Sequence, residues 1–291
     1  MKTKKRIVLV TVIGLLVLLA GFTAYELYHS AHGLTVTQYE LSSEKLSDSV
    51  RVVQLTDLHN STFGENNTEL AAKVAEQQPD LIVITGDLLN ADEEDTDIAT
   101  GTISQLCTIA PVYVSYGNHE VQYETTYHTD LTALYEQAGA TVLEYKYQDI
   151  TVKGQSIRLG GIYGYCTPEE YLKTKEADEE ECAFLRTFQQ TDQYTILLTH
   201  MPFTWIYNDG ISKWDIDCVL TGHTHGGQVR IPFIGGLYAP DAGWFPGREK
   251  GIYASGDQKK VMILSSGLGN NERLPRFNNV PEIVVTDLSP A

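Results

Sequence analysis

The sequence is poor in cysteine and in basic residues, and each shortage argues against a class of protein. Four scattered cysteines in 291 residues, with no Cys-x-x-Cys pair, argue against a zinc ribbon and exclude a dense disulfide framework. Only 21 lysines and arginines oppose 38 aspartates and glutamates, for a net charge of -17. Such an acidic chain repels nucleic-acid backbones, so we expect no DNA or RNA partner. A hydrophobic share of 42% is that of a folded globular protein.

The N-terminus departs from this acidic composition. The first 28 residues hold four basic residues against one acidic residue, a net charge of +3. Since the whole chain has a net charge of -17, residues 29–291 carry -20. Residues 7–28 are almost wholly apolar and are about as long as the roughly 20 residues with which a helix crosses a bilayer. The basic cluster precedes this run, and the positive-inside rule then predicts a cytoplasmic N-terminus with the rest of the chain outside.

This pattern favours a single-pass protein of the cell membrane. We interpret residues 1–6 as a cytoplasmic tail, 7–28 as a transmembrane signal anchor, 29–49 as a juxtamembrane segment with a leading strand, and 50–291 as one catalytic-sized domain. The alternative is a cleaved signal peptide. The length of the apolar run and the lack of a convincing Ala-x-Ala-like cleavage site favour the anchor.

The first half of the domain alternates apolar runs with segments of helical composition. Wholly apolar strands with helical connections are typical of an α/β sheet that is covered on both faces. In such sheets, ligands bind beyond the C-terminal ends of the strands. The strands are expected at 34–41, 51–56, 80–85 and 111–116, and the helices at 67–77 and 98–109.

The second half is similar but less regular. A turn at 152–155 predicts a hairpin between Ile150 and Ile157. Helices are expected at 130–137 and 176–190, and strands at 141–147, 156–163, 194–199, 217–220, 252–254, 261–265 and 282–286.

Metal-type ligands follow five of these predicted strands. Each residue alone is more often a turn former or a satisfied polar group than a ligand. Five strands that all end in such residues by chance is a much weaker explanation. The set comprises Asp57, His59, Asp87, Asn118, His119, His200, His223 and His225.

The residue types indicate a site for two divalent cations. Mixed nitrogen and oxygen ligands suit Mn, Fe or Zn, whereas Ca²⁺ prefers oxygen alone. Asp87 is the natural bridge between two ions, which would make a hydroxide nucleophile near neutral pH. His119 is surplus to coordination and suits either proton donation to the leaving oxygen or stabilisation of charge at the phosphorus. We assign Asp57, His59 and His225 to one ion, and Asn118, His200 and His223 to the other.

The ordered motifs resemble the calcineurin-like metallophosphoesterase superfamily over roughly residues 50–286. The resemblance implies a four-layer αββα sandwich of two mixed central sheets, within the α/β (α+β) class, a dinuclear metal site and phosphoester hydrolysis. The N-terminal span and the closing segment look like the membrane-associated bacterial branch, some of whose members resemble hydrolases of lipid-linked pyrophosphates such as UDP-diacylglucosamine. The motifs are Asp57-Leu58-His59, Gly86-Asp87, Gly117-Asn118-His119-Glu120, His200 and Gly222-His223-Thr224-His225.

We therefore expect a phosphodiesterase or pyrophosphatase with a lipid-linked or envelope substrate. A phosphomonoesterase or phosphoprotein phosphatase is the alternative within enzymes, and a non-catalytic scaffold of the same fold is the alternative outside them. Asn60, Asn90 and Arg273 are candidates for contact with the substrate phosphate. Phe233-Ile234 and Trp244-Phe245 lie in Gly/Pro-rich loops, where they suit either a lipid surface or ordinary packing.

Overall fold

Two six-stranded mixed sheets form the centre of the molecule, as the sequence predicted. The computed structural model describes residues 2–164, 179–206, 210–270 and 274–291. The first sheet has the order β1-β16-β2-β3-β4-β5, and only the β16–β2 pair is antiparallel. Its strands are β1 (Thr35–Ser43), β2 (Val50–Leu55), β3 (Leu81–Thr85), β4 (Val112–Ser115), β5 (Thr141–Val142) and β16 (Glu282–Pro290).

The second sheet is parallel at its centre and antiparallel at both edges. Its order is β14-β15-β9-β8-β7-β6, and the outermost pairs, β14–β15 and β6–β7, run antiparallel. The predicted hairpin is confirmed, with Ile150 paired to Ile157. Its strands are β6 (Lys146–Val152), β7 (Gln155–Ile162), β8 (Tyr194–Thr199), β9 (Cys218–Thr221), β14 (Gly251–Ala254) and β15 (Val261–Leu264).

Short hairpins and helices complete the described part of the chain. Two small hairpins lie between β9 and β14: β10 (Arg230–Ile231) with β11 (Gly235–Gly236), and β12 (Tyr238–Ala239) with β13 (Gly243–Trp244). The α-helices are α1 (Lys2–His32), α2 (Thr68–Ala75), α3 (Asp97–Leu106), α4 (Asn118–Tyr127), α5 (Leu131–Gln137), α6 (Glu179–Phe188), α7 (Phe203–Ile206) and α8 (Gly210–Lys213), and the 3₁₀ turns are Glu65–Asn67 and His225–Gly227.

Three apolar clusters separate four layers. One cluster joins the first sheet to α2, α3, α4 and α5, a second lies between the sheets, and a third joins the second sheet to α6, α7 and α8. Strand β3 shows why the sequence runs are wholly apolar. Ile82 and Ile84 pack against the helices, whereas Leu81 and Val83 pack against the other sheet. Burying such a side chain contributes about 1.5–3 kcal/mol, so both faces of the strand stabilise the fold.

The N-terminal helix is long and apolar enough to cross a membrane. Its apolar side chains are exposed along its length, and it continues through His32, past the predicted end of the span. A signal sequence near the N-terminus can pass the same test of length and composition. Residues 29–49 then contribute β1, which pairs in parallel with β16 over nine residues.

The structure departs from the sequence expectations near residues 141–147 and at α4. The strand predicted at 141–147 is wrong, because the chain crosses from β5 in the first sheet to β6 in the second, with Leu143 buried between the sheets and Tyr145 at φ 49°. Helix α4 was not predicted, because its sequence lacks a regular apolar stripe. The predicted helix at 176–190 appears as α6, and residues 176–178 lie outside the described residues.

Glu282 ties the closing strand to the segment that follows β15. Its buried carboxylate pairs with Lys250 at 2.7 Å and accepts hydrogen bonds from the Ser266 backbone N–H at 2.8 Å and from the Thr37 hydroxyl. Burial alone would raise the pKa of Glu282, but Lys250 and these donors hold that pKa below its usual value. The charged form is therefore the one that stabilises the fold.

We expect Glu282→Gln to lower the free energy of unfolding by about 3 kcal/mol at pH 7, since it leaves Lys250 unpaired. A depressed folded-state pKa contributes stability above the unfolded pKa, and this is lost as pH falls through the folded value. The difference from wild type should therefore shrink below about pH 4. Urea unfolding at pH 7 and at acid pH measures this difference in the free energy of unfolding. The exposed Glu40→Gln on β1 is the control, and equal stability of both variants at pH 7 would contradict the assignment.

Candidate metal centre

The predicted ligands lie in the loops that follow five strands of the two sheets. Because β2, β3 and β4 are parallel neighbours in one sheet and β8 and β9 in the other, their C-terminal ends meet at one edge of the sandwich. Six of the ligands and His119 form three groups of mutually close side chains. The groups are Asp57, His59 and His225; Asp87, His200 and His223; and His59, Asp87 and His119.

The backbone at this edge is conformationally strained. Five of the seven predicted ligands have left-handed φ values, which side chains other than glycine adopt at a cost of about 1 kcal/mol or more each. Their packing against the neighbouring loops holds them there, so the protein maintains this geometry against a local preference. They are Asp57 (53°), His59 (48°), Asp87 (55°), His223 (73°) and His225 (47°).

Two glycines let the loops approach the carboxylates closely. A Cβ at Gly117 would lie 2.2 Å from Oδ1 of Asp87, and a Cβ at Gly222 would lie 2.5 Å from Oδ2 of Asp57. Both distances are far shorter than a van der Waals contact. The glycines beside the motif histidines therefore bring loops from different strands against the carboxylates.

The first group surrounds Asp57. Its Oδ1 lies 4.0 Å from His59 Nε2 and 3.7 Å from His225 Nε2, and its carboxylate accepts the His223 backbone N–H at 3.0 Å. His59 Nδ1 donates to Asn90 Oδ1 at 3.1 Å, which turns Nε2 towards the carboxylates. Asn90, a candidate for substrate contact, thus orients a histidine.

The second group surrounds Asp87. Oδ2 of Asp87 lies 3.0 Å from His200 Nε2, while His200 Nδ1 donates to the Thr85 carbonyl at 2.8 Å. His223 Nδ1 lies 3.2 Å from His200 Nε2, so both rings present a nitrogen to the same space. The other nitrogen of His223 donates to Asp241 at 3.1 Å. Asp241 was not predicted, since nothing in its Gly/Pro-rich loop indicates that the loop reaches His223.

Asp87 belongs to both sides of the site. The same Oδ2 that faces His200 lies 3.6 Å from His59 Nε2. The Oδ1 atom accepts the His119 backbone N–H at 2.9 Å and is thereby oriented. His223 and His225 fall in different groups of close side chains.

Several buried polar atoms here have no hydrogen-bond partner within the described ranges. They are His59 Nε2, Asn118 Oδ1 and His225 Nδ1. A buried polar atom left unpaired costs about 1–3 kcal/mol. Two carboxylates, an amide oxygen and imidazole nitrogens form the mixed donor set of Mn, Fe and Zn sites. The residues therefore fit divalent metal ions.

The electrostatics of the two sides differ. Burial lowers the pKa of His59 to about 3 and that of His225 well below its usual value, so both are neutral. Burial acts the same way on His200, but Asp87 outweighs it and raises the pKa of His200 to about 10. Although burial opposes it, His200 holds the pKa of Asp87 well below its usual range. Loading this side with a cation therefore requires His200 to release a proton.

His119 lies beside the ligands in a defined tautomer. Its Nδ1 accepts the Ala91 backbone N–H at 2.9 Å, so in the neutral ring the proton is on Nε2. Its ring packs edge-on against His59, with ring centroids 4.6 Å apart. A ring held in this way suits donation of a hydrogen bond from Nε2–H to a substrate oxygen that gains negative charge.

Glu120 is a supporting residue whose role the sequence did not reveal. Its buried carboxylate accepts the backbone N–H groups of Gly117, Asp87 and Leu88, each at 2.8 Å. It thereby clamps the loop after β3 to the start of α4. The Gly-Asn-His-Glu motif contained a signal for this, because a glutamate three residues after a helix cap commonly reaches back to it.

We expect Glu120→Gln to weaken metal binding about 10- to 100-fold, the usual effect of losing a residue that orients ligands. An amide presents N–H groups to backbone donors and cannot accept all three bonds. A titration of the protein with metal, monitored by calorimetry, measures this change in affinity. Tyr135→Phe, which removes only the 3.3 Å hydroxyl contact to Glu120, is the control. A Glu120→Gln variant with wild-type affinity would refute the role.

The candidates for substrate contact have different surroundings. Arg273 lies outside the described residues. Asn60 donates to Glu93 at 2.8 Å, and its Oδ1 is buried without a partner. Sequence reasoning missed Arg276, a guanidinium with 4% exposure that is electrostatically coupled to Asp57 and His225. Burial lowers the pKa of Arg276 to about 10, so it is cationic at neutral pH.

The chain is similar to known phosphoesterases. The uncharacterized metallophosphoesterase YkuE of Bacillus subtilis is 28% identical over 281 residues, which cover 92% of this chain and 90% of that protein. Phosphodiesterase YaeI of Escherichia coli is 27% identical over 248 residues and 82% of each chain. An uncharacterized metallophosphoesterase of Campylobacter jejuni is 28% identical over 259 residues, 87% of this chain but only 63% of that protein's length.

The family model for calcineurin-like phosphoesterase matches residues 50–227, from the start of β2 to the glycines that follow His225. The match therefore spans all seven predicted metal ligands and His119, together with the strands that carry them. Since it covers more than half of the sequence, this chain belongs to the calcineurin-like phosphoesterase family.

Proposed function

We propose that the protein is a metal-dependent phosphodiesterase or pyrophosphatase that uses two divalent cations, Mn, Fe or Zn. The observation that carries the proposal is the position of Asp87 Oδ2, 3.6 Å from His59 on one side and 3.0 Å from His200 on the other. A carboxylate that two ligand groups share suits a bridge between two cations. Asn118 and His223 complete one side, and Asp57 and His225 the other.

The chemistry divides between the ions and the chain. When bound, the cations supply Lewis acidity and lower the pKa of water. The chain's part begins with Asp87, which the His119 backbone N–H orients. Water attacks phosphorus opposite the leaving oxygen and loses a proton to solvent, the bond from phosphorus to the leaving oxygen breaks, and that oxygen takes a proton from solvent. The Nε2–H of His119 donates a hydrogen bond to the leaving oxygen and stabilises the negative charge that develops there. The Ala91 N–H keeps the His119 ring in the donating tautomer throughout.

A membrane-anchored enzyme with a lipid-linked or envelope substrate is the form of this activity that we favour. Helix α1 is joined to the domain at its end: Ser30 is buried and accepts the Asn279 backbone N–H at 3.3 Å. Further back, Phe22 packs edge-on against Phe277, with ring centroids 6.5 Å apart. Phe22 lies within the predicted span, so the domain surface around Phe277 would meet the bilayer interface. The positive-inside rule favours an extracytoplasmic domain.

The exposed aromatic loops support the same orientation. Phe277 pairs with Val229 at the base of the β10–β11 hairpin, whose tip exposes Phe233 at 109% and Ile234 at 63%. Trp244, in the neighbouring hairpin, is 63% exposed. Exposed apolar side chains of this size commonly mark a protein or membrane contact. Their link to Phe277 favours the membrane.

Hydrolysis of bis(p-nitrophenyl) phosphate by the full chain with Mn²⁺ tests the proposal. We expect hydrolysis that a chelator abolishes and Mn²⁺ restores, and a preference for the diester over p-nitrophenyl phosphate and over a phosphopeptide. A preference for either monoester would favour the phosphomonoesterase or phosphoprotein phosphatase alternative. No hydrolysis of any substrate, with less than one transition metal bound per chain, would favour the non-catalytic scaffold.

A further inference from the structure

The turn that carries His225 consists of four consecutive residues with left-handed φ angles. They are His225 (47°), Gly226 (60°), Gly227 (79°) and Gln228 (58°). Two of the four have side chains, and a left-handed backbone is unfavourable for such residues. Strain of this kind persists only where the surrounding structure holds it. Contacts from outside the turn must therefore keep His225 in place.

Asn279 contacts both ends of this turn with one side chain. Its Nδ2 donates to the His225 carbonyl at 2.7 Å and to the Gln228 carbonyl at 3.1 Å. Asn279 is only 2% exposed, so water cannot replace these hydrogen bonds readily. A Cβ at Gly226 would lie 2.6 Å from Asn279 Oδ1, which shows that the amide packs directly on the turn. Arg230 also donates to the turn, but at the Gly226 carbonyl in its middle.

His225 depends on its backbone more than the other ligand histidines do. Each of the other three is oriented by a hydrogen bond at a second ring nitrogen, and the acceptors are Asn90, the Thr85 carbonyl and Asp241. His225 Nε2 lies 3.7 Å from Asp57 Oδ1, whereas its Nδ1 has no hydrogen-bond partner in the described ranges. A ligand histidine is normally fixed through its other nitrogen. For His225, the turn that Asn279 holds has to supply that orientation.

Asn279 is itself supported by the N-terminal helix. Its backbone N–H donates to Ser30 Oγ at 3.3 Å, and Ser30 is fully buried near the end of α1. The chain just after α1 packs on the next residue, because a Cβ at Gly33 would lie 3.1 Å from Cγ1 of Val280. A continuous line of contacts therefore runs from α1 through Asn279 to His225.

We propose that Asn279 is a positioning residue that fixes His225 for its metal ion, and that the end of α1 supports Asn279 through Ser30. The N-terminal helix then contributes to the metal centre, in addition to the membrane attachment proposed above. The inference rests on the proposed function for the assignment of His225 to one of two cations. It concerns metal binding and requires no hydrolysis.

Stepwise binding of Co²⁺ to the full chain in detergent tests this role, measured by calorimetry and by the visible absorption of the bound ion. We expect two binding steps in the wild type. Asn279→Ala should weaken one step about 10- to 100-fold, the usual effect of losing a residue that orients a ligand. The other step should stay near wild type. The absorption of the weakened site should also change, because it depends on the geometry of the ligands.

Asn278→Ala is the matched control. It removes the same amide from the adjacent residue, whose exposed side chain donates to the Arg230 carbonyl at 2.9 Å. Its φ of 51° makes alanine unfavourable there, so this variant also controls for a general loss of stability. Both binding steps should remain near wild type.

Ser30→Ala approaches Asn279 from the other side. It removes the acceptor of the Asn279 backbone N–H and should weaken the same binding step about three- to tenfold, the usual value of one hydrogen bond. Thermal unfolding checks that Asn279→Ala folds, and Ser30→Ala keeps the test valid if it does not.

Two results with Asn279→Ala would overturn the positioning role: wild-type affinity at both steps, or equal weakening of both. Equal weakening in Asn278→Ala would do so too, since stability rather than position would then decide the affinity. Wild-type binding by Ser30→Ala would remove α1 from the proposal. Failure of the proposed function shows separately, as a wild-type chain that binds a single ion or does not hydrolyse bis(p-nitrophenyl) phosphate.

Discussion

Asp87→Asn should lower kcat for bis(p-nitrophenyl) phosphate at least about a thousandfold, roughly 4 kcal/mol of barrier, and should lower the bound metal. Asp87 is the carboxylate that faces both ligand groups, and its own charge keeps His200 protonated in the absence of a cation. An amide cannot offset the repulsion between two cations as a carboxylate does. Elemental analysis of the purified protein and steady-state kinetics with Mn²⁺ measure the two effects.

Asp92→Asn is the matched control for Asp87→Asn. It removes the same charge from the exposed acidic loop that follows β3 and should leave both metal content and kcat near wild type. If Asp87→Asn kept wild-type kcat with full metal content, Asp87 would not bridge and the assignment of two cations would fail. A loss of activity in the control as well would mean that general negative charge, rather than the bridge, is what matters.

His119→Ala should lower kcat about 10²- to 10³-fold, the usual contribution of one hydrogen-bond donor to developing negative charge, while the metal content stays near wild type. His119 forms a close group with His59 and Asp87, yet its Nδ1 is occupied by the Ala91 N–H. The loss should be larger for a diester with an alkyl leaving group, whose oxygen carries more concentrated negative charge, than for one that releases p-nitrophenolate. Comparing kcat for both diesters measures this difference.

His128→Asn provides a control on the same helix. His128 ends α4 in a left-handed conformation that asparagine tolerates, and it lies in none of the close ligand groups. The kcat of the His128→Asn variant should remain near wild type for both diesters. An equal loss for both leaving groups in His119→Ala, together with reduced metal content, would make His119 a metal ligand instead of a hydrogen-bond donor to the leaving oxygen.

The order of elements and the position of the site were predictable because they depend on local chemistry. A wholly apolar run such as 80–85 is recognisable as a strand buried on both faces, and Asp87 follows it directly. The carboxyl ends of parallel strands share one edge of a sheet, so the ligands had to lie near one another.

Contacts between distant parts of the chain were not predictable in this way. The pairing of β1 with β16 joins residues about 250 positions apart, and the crossing between the sheets near Leu143 divides a run that looks like one strand. Alternation of side chains identifies a strand but not its neighbour. Helix α4 escaped prediction for a related reason, because Glu120 stabilises its start through hydrogen bonds rather than through an apolar stripe.

The sequence by itself determined the candidate ligands and the distribution of charge: strand ends with aspartate, asparagine and histidine, and an apolar N-terminus followed by an acidic domain. Only the tertiary structure decided which groups support them. Asp241 reaches His223, Glu120 clamps the loop of Asp87, and Arg276 is a buried cation at the foot of α1. Such roles arise from packing between segments far apart in the chain, because burial and hydrogen-bond partners are set by the whole fold.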